Sequence, residues 1–169
     1  DGLYKGFDHF YKASGTVSKP IVYIAMGSKV IINQSCGRGF DGCNIEGNDY
    51  IEMNGFKVYG ISDPVGSGED GIRAVLANHI TIRNCEVDSC YRGIFTGYTD
   101  DFLAENNICR RSHGEHGIYV SNNSDRVIVR NNICYGNKAA GIQLNPDLSS
   151  GAPGISIDVN VYNNICYNN

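Results

Sequence analysis

The chain has 169 residues, enough for one ordinary domain, and carries a formal net charge of −4 with 19% charged residues. Its 14 basic residues are scattered along the sequence rather than gathered in one segment, which argues against nucleic acid as a partner. No apolar run approaches the about 18 residues that a membrane-spanning helix needs, so the sequence predicts no membrane segment.

The first 60 residues contain short apolar stretches and a Gly-rich turn, which Cys36 and Cys43 flank. The chain has seven Cys, and their spacing forms no Cys-x-x-Cys pair of the kind that binds zinc. We therefore interpret the cysteines as small apolar core residues. Cys36 and Cys43 are the pair best suited to a disulfide, because they flank one turn.

A repeat begins near residue 80. Four segments align without gaps, and each reads apolar-x-apolar-x-Asn-x-x-apolar: residues 80–87, 102–109, 127–134 and 159–166. A Gly-Ile dipeptide also recurs, with spacings of 22, 24 and 24 residues, at Gly71, Gly93, Gly117 and Gly141. Repeats of this length indicate a solenoid, because one such unit cannot bury its apolar face without neighbours.

Alternating apolar residues within each segment predict strands, and the repeat leaves no room for a helix. Each repeat should hold about three short strands and stack about 4.8 Å from the next coil. Stacking aligns equivalent residues in columns, one of which is Cys85, Asn107, Asn132 and Asn164. Amides in such a column can donate to and accept from the next coil, so we predict an internal Asn ladder.

The segments ITIRNCEV, FLAENNIC, VIVRNNIC and VNVYNNIC, together with DGIRA, RGIFT, HGIYV and AGIQL, resemble repeats of the pectin-lyase-like superfamily. The resemblance implies an all-β fold, a right-handed single-stranded parallel β-helix of about six coils of roughly 22–25 residues or more. We expect one domain over 1–169, with N-terminal coils in 1–60 and regular repeat coils in 61–169. The ends are expected to be truncated, because solenoids normally cap their terminal coils.

In this superfamily the strand called PB1 lines the groove that holds substrate, and the Gly-Ile segments match that strand. The resemblance then implies that the Ile residues point inward and that an outward row follows: Arg73, Phe95, Tyr119 and Gln143. Aromatic rings stack on the C–H surfaces of sugars, and the planar guanidinium group of Arg forms paired hydrogen bonds with a carboxylate, so such a row can bind an acidic sugar chain. We predict that this row, with Asn145 on the flank of the groove, binds substrate.

The segment RRSHGEHGIYV concentrates titratable groups beside this row and supplies His113 and His116. Many relatives cleave uronate polysaccharides by β-elimination, in which a base removes a proton while a cation stabilises the resulting charge. Mapped by position, Arg92 or Arg73 would neutralise charge, and His116 or Tyr119 would take the proton. Ca²⁺ is another candidate for the cation.

The predicted function is a secreted or cell-surface bacterial protein acting on an acidic, uronate-containing polysaccharide, with a lyase favoured. Two alternatives stay open: a non-catalytic glycan-binding or structural β-helix, and a glycoside hydrolase or epimerase. Hydrolysis needs two carboxylic acids, and the acids near the groove are Asp70, Asp100 and Asp147. Convergence of the four predicted catalytic residues would favour the enzyme: Arg92, His113, His116 and Tyr119.

The sequence also suggests a surface for self-association. Alternation places one column outward on the third strand of each repeat: Glu86, Ile108, Ile133 and Ile165. Exposed apolar rows are typical of association surfaces. We therefore expect that a homodimer, if formed, uses this row or the uncapped coil ends.

Overall fold

A computed structural model of the chain describes residues 1–62, 69–150 and 153–169. These residues form short strands in three sheets and one short 3₁₀ helix, Leu148–Ser150. Sheet 1 contains β2 (Asp8–Phe10), β5 (Cys43–Glu46), β8 (Asp70–Val75), β11 (Arg92–Gly97), β14 (Ile118–Ser121) and β17 (Ile142–Asn145). Sheet 2 contains β3 (Ile21–Ile24), β6 (Ile51–Asn54), β9 (Ile80–Arg83), β12 (Leu103–Glu105), β15 (Ile128–Arg130) and β18 (Asn160–Tyr162). Sheet 3 contains β1 (Gly2–Lys5), β4 (Val30–Gln34), β7 (Lys57–Tyr59), β10 (Glu86–Asp88), β13 (Ile108–Arg110), β16 (Ile133–Tyr135) and β19 (Ile165–Tyr167).

The chain visits sheets 1, 2 and 3 in turn, and each strand pairs in parallel with the equivalent strand of the next coil. This path confirms the predicted all-β parallel β-helix of about six coils. Parallel pairing requires a long connection between partners, and here the other two strands of the coil provide it. The division into coils 1–60 and 61–169 stays a prediction.

The core is a set of inward-facing columns. Ile72, Ile94 and Ile118 pair in register on sheet 1 and are fully buried, as the Gly-Ile pattern predicted. On sheet 3, Cys109 and Cys134 form another buried column. All seven Cys lie in the described part of the chain and are free thiols, so Cys36 and Cys43, the pair best suited to a disulfide, are not bonded to each other.

The second Asn of each Asn-Asn pair forms the predicted ladder. The Asn132 side-chain Oδ1 accepts from the backbone N–H of Asn107 at 2.9 Å and from its Nδ2 at 3.0 Å. The Asn132 Nδ2 in turn donates to the Ala104 carbonyl and to Asn164 Oδ1, both at 3.0 Å. Asn107 and Asn132 are fully buried. The ladder therefore satisfies backbone groups that the turn between sheets 2 and 3 leaves unpaired inside the core.

The first Asn of each pair has a different task. It occupies the left-handed backbone region, with φ between 55° and 58°, at Asn106, Asn131 and Asn163, and so does Asn84, which precedes Cys85 at the equivalent position. Asn tolerates this conformation better than most residues do, which explains why it recurs at the bend. The Asn-Asn pair thus combines a residue that turns the chain with a residue that bonds the coils.

The predicted Ile row on sheet 3 is in register, from Glu86 through Ile108 and Ile133 to Ile165. Ile108 and Ile133 are half-buried, so the middle of the row is covered more than an association surface would be. The described residues give the predicted homodimer no support.

Candidate functional site

The outward row on sheet 1 lies where the pattern predicted. Phe95 pairs with Arg73 on one side and with Tyr119 on the other, and Tyr119 pairs with Gln143. Two polar residues outside the recognised repeat extend it towards the N-terminal coils. The full row, in order, is Asp8, Asn44, Arg73, Phe95, Tyr119 and Gln143. One continuous strip of polar and aromatic side chains therefore crosses six coils.

Three of the four predicted catalytic residues form one chain of contacts. The Arg92 guanidinium carbon lies 4.4 Å from the centroid of the Phe95 ring, and the Phe95 and Tyr119 ring centroids are 5.4 Å apart. The Tyr119 and His116 ring centroids are 4.8 Å apart. This arrangement brings a cation, a phenol and an imidazole side by side along the groove.

His113 lies apart from this group. Its ring is exposed and meets Tyr91 edge-on at 5.9 Å between centroids. Its backbone N–H donates to the Cys90 carbonyl at 2.9 Å, which holds this residue beside the turn that precedes β11. The ring contacts therefore join His116 to Tyr119 but place His113 against Tyr91, so the four predicted catalytic residues do not all converge.

The hydrogen bonding of His116 limits its chemistry. Its Nδ1 accepts from the backbone N–H of Ala140 at 3.1 Å, so the neutral ring carries its proton on Nε2. Burial lowers the pKa of His116 below its usual value; Glu115 opposes this shift and Arg92 adds to it. A neutral imidazole with Nε2–H is a hydrogen-bond donor towards a ligand rather than a base.

Asn145 holds the phenol of Tyr119. Its Nδ2 donates to the Tyr119 hydroxyl oxygen at 3.0 Å, across the paired strands β14 and β17. An amide donor placed at this oxygen stabilises negative charge there. Gln143, the last member of the row, instead donates from Nε2 to the Leu144 carbonyl at 3.1 Å. Asn145 is therefore a positioning residue for Tyr119 as well as a predicted contact for substrate.

A charged cleft of about 330 Å³ adjoins Arg92 at the start of the sheet 1 strands. Within it, one guanidinium nitrogen of Arg73 donates to Glu46 Oε2 at 2.6 Å and to Asn44 Oδ1 at 2.7 Å. Arg92 Nε donates to Asp70 Oδ1 at 2.6 Å. The cleft is lined by Arg38, Gly39, Asp41, Glu46, Asp70, Arg73 and Arg92. Both predicted arginines are therefore paired with carboxylates of the protein. Of the three acids that line the cleft, Asp41 and Glu46 were not predicted.

Asp41 and Asp70 form a buried carboxyl pair in this cleft. Their exposed fractions are 4% and 1%, and Asp41 Oδ1 accepts from the Asp70 backbone N–H at 2.9 Å. Burial raises the pKa of Asp41 to about 6 and that of Asp70 to about 8, even though Arg73 and Arg92 oppose both shifts. The pair therefore retains a proton near neutral pH.

This pair predicts a pH-dependent stability. The Asp70 carboxyl releases its proton near its ordinary value of 3.8 in the unfolded chain but near pH 8 in the folded one. Its stabilising contribution is therefore fully present below the lower value and is lost as the pH rises through the upper one. We expect the melting temperature of Asp70→Asn to fall less between about pH 5 and about pH 9 than that of the wild type, because Asn has no proton to lose. Parallel pH dependences measured by circular dichroism would contradict this.

The other two acids predicted for hydrolysis bind backbone N–H groups. Asp100 Oδ1 accepts from the Asp125 backbone N–H of the next coil at 2.9 Å. Asp147 Oδ1 accepts from the Ser149 backbone N–H, two residues along the chain, at 2.8 Å, a bond typical of Asp in turns. Of the three predicted acids, Asp70 is the one that lines the cleft.

Two further kinds of site are absent from the described ranges 1–62, 69–150 and 153–169. These residues contain no group of three or more His, Cys, Asp or Glu placed to hold a metal ion. Ca²⁺, the alternative candidate for the cation, therefore has no such ligand set in this part of the chain. The same residues contain no helix long and apolar enough to cross a membrane.

Comparison with known proteins supports the fold. A family model described as periplasmic copper-binding protein (NosD) matches residues 23–169. The crystal structure of an alginate lyase from Paenibacillus sp. str. FPU-7 is similar with a TM-score of 0.60 and 19% sequence identity, over 97% of this chain and 67% of the other. The comparison with curated proteins found no match. Together these likenesses confirm the predicted pectin-lyase-like parallel β-helix.

Proposed function

We propose that this chain, which belongs to the NosD family of periplasmic copper-binding proteins, binds a uronate-containing polysaccharide and cleaves it by β-elimination. The observation that carries the proposal is the unbroken contact from Arg92 through Phe95 to Tyr119 on the outward face of sheet 1. Fold alone does not fix chemistry, so the proposal depends on these side chains. The similar alginate lyase supports it only at the level of the fold.

The row on sheet 1 supports binding of an acidic sugar chain. Its strands repeat along the axis of the solenoid, so a linear polymer can contact successive coils in the same way. Phe95 and Tyr119 are half-buried and offer ring surface to the C–H faces of sugars. Arg73 and Arg92 supply guanidinium forks that match a carboxylate.

The reaction uses groups already in contact. Arg92 stabilises the negative charge that develops on the uronate carboxylate. Tyr119, as phenolate, removes the proton α to that carboxylate, the electron pair forms a C=C bond, and the glycosidic C–O bond breaks. The leaving oxygen then takes a proton from the phenol. Tyr119 is preferred to His116 as the base because the Nδ1 lone pair of His116 is occupied by Ala140.

Copper, which the family description names, does not fit the described residues. Copper sites in proteins use His, Cys and Met ligands. Both ring nitrogens of His9 are already hydrogen-bonded, to Tyr23 and Ala13, and burial raises the pKa of the Cys85 thiol to about 11. Within 1–62, 69–150 and 153–169, no group of three or more His, Cys, Asp or Glu is placed to hold a metal ion.

A non-catalytic glycan-binding module is the second candidate. The observation that favours it is that the guanidinium groups are already paired, Arg92 with Asp70 and Arg73 with Glu46. A polymer would then bind mainly through the aromatic rings and hydrogen bonds of the row. For either function we propose a secreted or surface location, which the periplasmic description of the family supports.

Arg92→Gln separates the candidates. With alginate, pectate, chondroitin or heparan as substrate, we expect the wild type to generate ultraviolet absorbance from an unsaturated product. We expect kcat/KM for Arg92→Gln to fall by about a hundredfold, because charge in the transition state loses its cation. Arg130→Gln is the matched control, since Arg130 also pairs with an acid, Glu105 at 2.9 Å, but lies on sheet 2.

No absorbance from any of the four polymers would contradict the lyase proposal and leave the binding module. Equal losses in Arg92→Gln and Arg130→Gln would show that the effect of the substitution is general rather than specific to the sheet 1 site.

A further inference from the structure

The carboxyl pair Asp41–Asp70 is not used by the proposed reaction, yet it lies against the arginine that the reaction needs. We propose, on the basis of the proposed function, that the cleft beside Arg92 is a carboxylate-binding subsite in which a uronate carboxylate replaces Asp70 as the partner of Arg92 and the Asp41–Asp70 pair takes up one proton. Binding of the acidic ligand and uptake of a proton are then one coupled event.

The charge of the lining explains why a proton accompanies the ligand. The cations of the cleft are already matched by acids. Arg38, Arg73 and Arg92 line the cleft with Asp41, Glu46 and Asp70. Glu115 also lies 3.5 Å from Arg92, and Asp8 lies 3.9 Å from Arg38. An incoming carboxylate therefore adds a negative charge that no unpaired cation in this set balances, and one proton taken up by the carboxyl pair offsets it.

The environment of Asp70 favours the protonated state once Arg92 turns to the ligand. Asp70 Oδ1 accepts from Arg92 Nε, whereas Asp70 Oδ2 is buried and has no hydrogen-bond partner among the described residues. Losing Arg92 to a ligand would leave a buried carboxylate without its hydrogen-bonded cation and without a full set of donors. Protonation removes that cost, because a neutral carboxyl group tolerates burial far better.

Other charged and titratable groups face the pair from each adjoining element. The turn before β11 supplies Cys90, whose thiol stays neutral because burial raises its pKa to about 12. Arg92 begins β11, and Glu115 of the next coil lies 3.5 Å from its guanidinium group. Beside Asp70 itself, Glu69 is fully buried and its charge disfavours ionisation of Asp41, whereas Arg73 favours it. Among these groups, the Asp41–Asp70 pair is the one whose pKa values, about 6 and about 8, allow it to exchange a proton near neutral pH.

The proton comes from solvent. Asp70 takes it up and becomes neutral, while the ligand carboxylate forms an ion pair with Arg92. No covalent bond to carbon forms or breaks. Above about pH 8, where free Asp70 is ionised, affinity should therefore fall about tenfold per pH unit.

Isothermal titration calorimetry tests this coupling, with tetramers of galacturonate and of mannuronate as probes and the neutral tetramer cellotetraose as control. Titrations at about pH 8.5 in two buffers of different ionisation enthalpy give the number of protons exchanged. We expect uptake of at least about half a proton with a uronate tetramer and none with cellotetraose. Binding with equal heats in both buffers overturns the proposal, and so does the absence of binding by both uronate tetramers.

Two variants sharpen the result. Asp70→Asn should bind the uronate tetramer without proton uptake and with a flat pH dependence, whereas Asp100→Asn, in a distant turn, should behave like the wild type. If Asp70→Asn does not fold, the buffer comparison on the wild type still decides. The two proposals can fail separately. Unsaturated product without proton uptake would contradict the proton coupling alone. Proton-coupled binding without unsaturated product would contradict the lyase activity alone.

Discussion

A Tyr119→Phe variant is expected to lose about a thousandfold in kcat for release of unsaturated product, with little change in KM. The substitution removes only the phenol oxygen, which accepts the hydrogen bond from Asn145. The ring remains, so its contact with Phe95 and its surface for the sugar are preserved. A loss confined to kcat would therefore identify the oxygen as the group that moves the proton. Initial rates across a substrate series measure both constants.

The matched control is Tyr162→Phe. The Tyr162 hydroxyl also accepts a hydrogen bond, from Arg130 at 3.1 Å, but it lies on β18 of sheet 2. It should leave both constants unchanged. If Tyr119→Phe retains more than about a tenth of the wild-type kcat, Tyr119 is not the base, and His116 through a different tautomer becomes the candidate.

The second large effect is on stability. Asn132→Gly is expected to lower the free energy of unfolding by about 3 kcal/mol or more, because the backbone N–H of Asn107 and the carbonyl of Ala104 lose their partners inside the core. Chemical denaturation followed by circular dichroism measures the change. Asn132 bonds to the coils on both sides of it, and Asn107 does the same.

Asn131→Gly provides the control one residue away. Asn131 is exposed and has a φ of 58°, a conformation that Gly adopts freely. This variant should change the free energy of unfolding by less than about 1 kcal/mol. Similar losses for the two variants would mean that the pair acts through backbone flexibility rather than through the ladder.

The fold and the outward row were predictable because a solenoid repeats its register. Ile72 and Ile94 stand at the same place in successive coils, and so do Phe95 and Tyr119, so sequence alignment alone shows which side chains are neighbours. The ladder followed from the same reasoning, since amides at one register must meet across the coils.

The charged cleft was not predictable in this way. Asp41 lies before β5, outside the recognised repeat, and meets Asp70 through the backbone N–H of the latter. Its burial depends on how an irregular turn packs, which a repeat pattern does not encode. The protonation of His116 likewise depends on the backbone of Ala140, a group that carries no signature in the side-chain sequence.

Mass spectrometry of the products from a uronate polymer shows whether the outward face of sheet 1 cleaves by β-elimination. We expect oligosaccharides from the interior of the polymer to lack one water relative to the products of hydrolysis, with Tyr119→Phe yielding almost none. Interior products of full hydrolytic mass would contradict elimination, and a polymer left intact by the wild type would contradict cleavage itself.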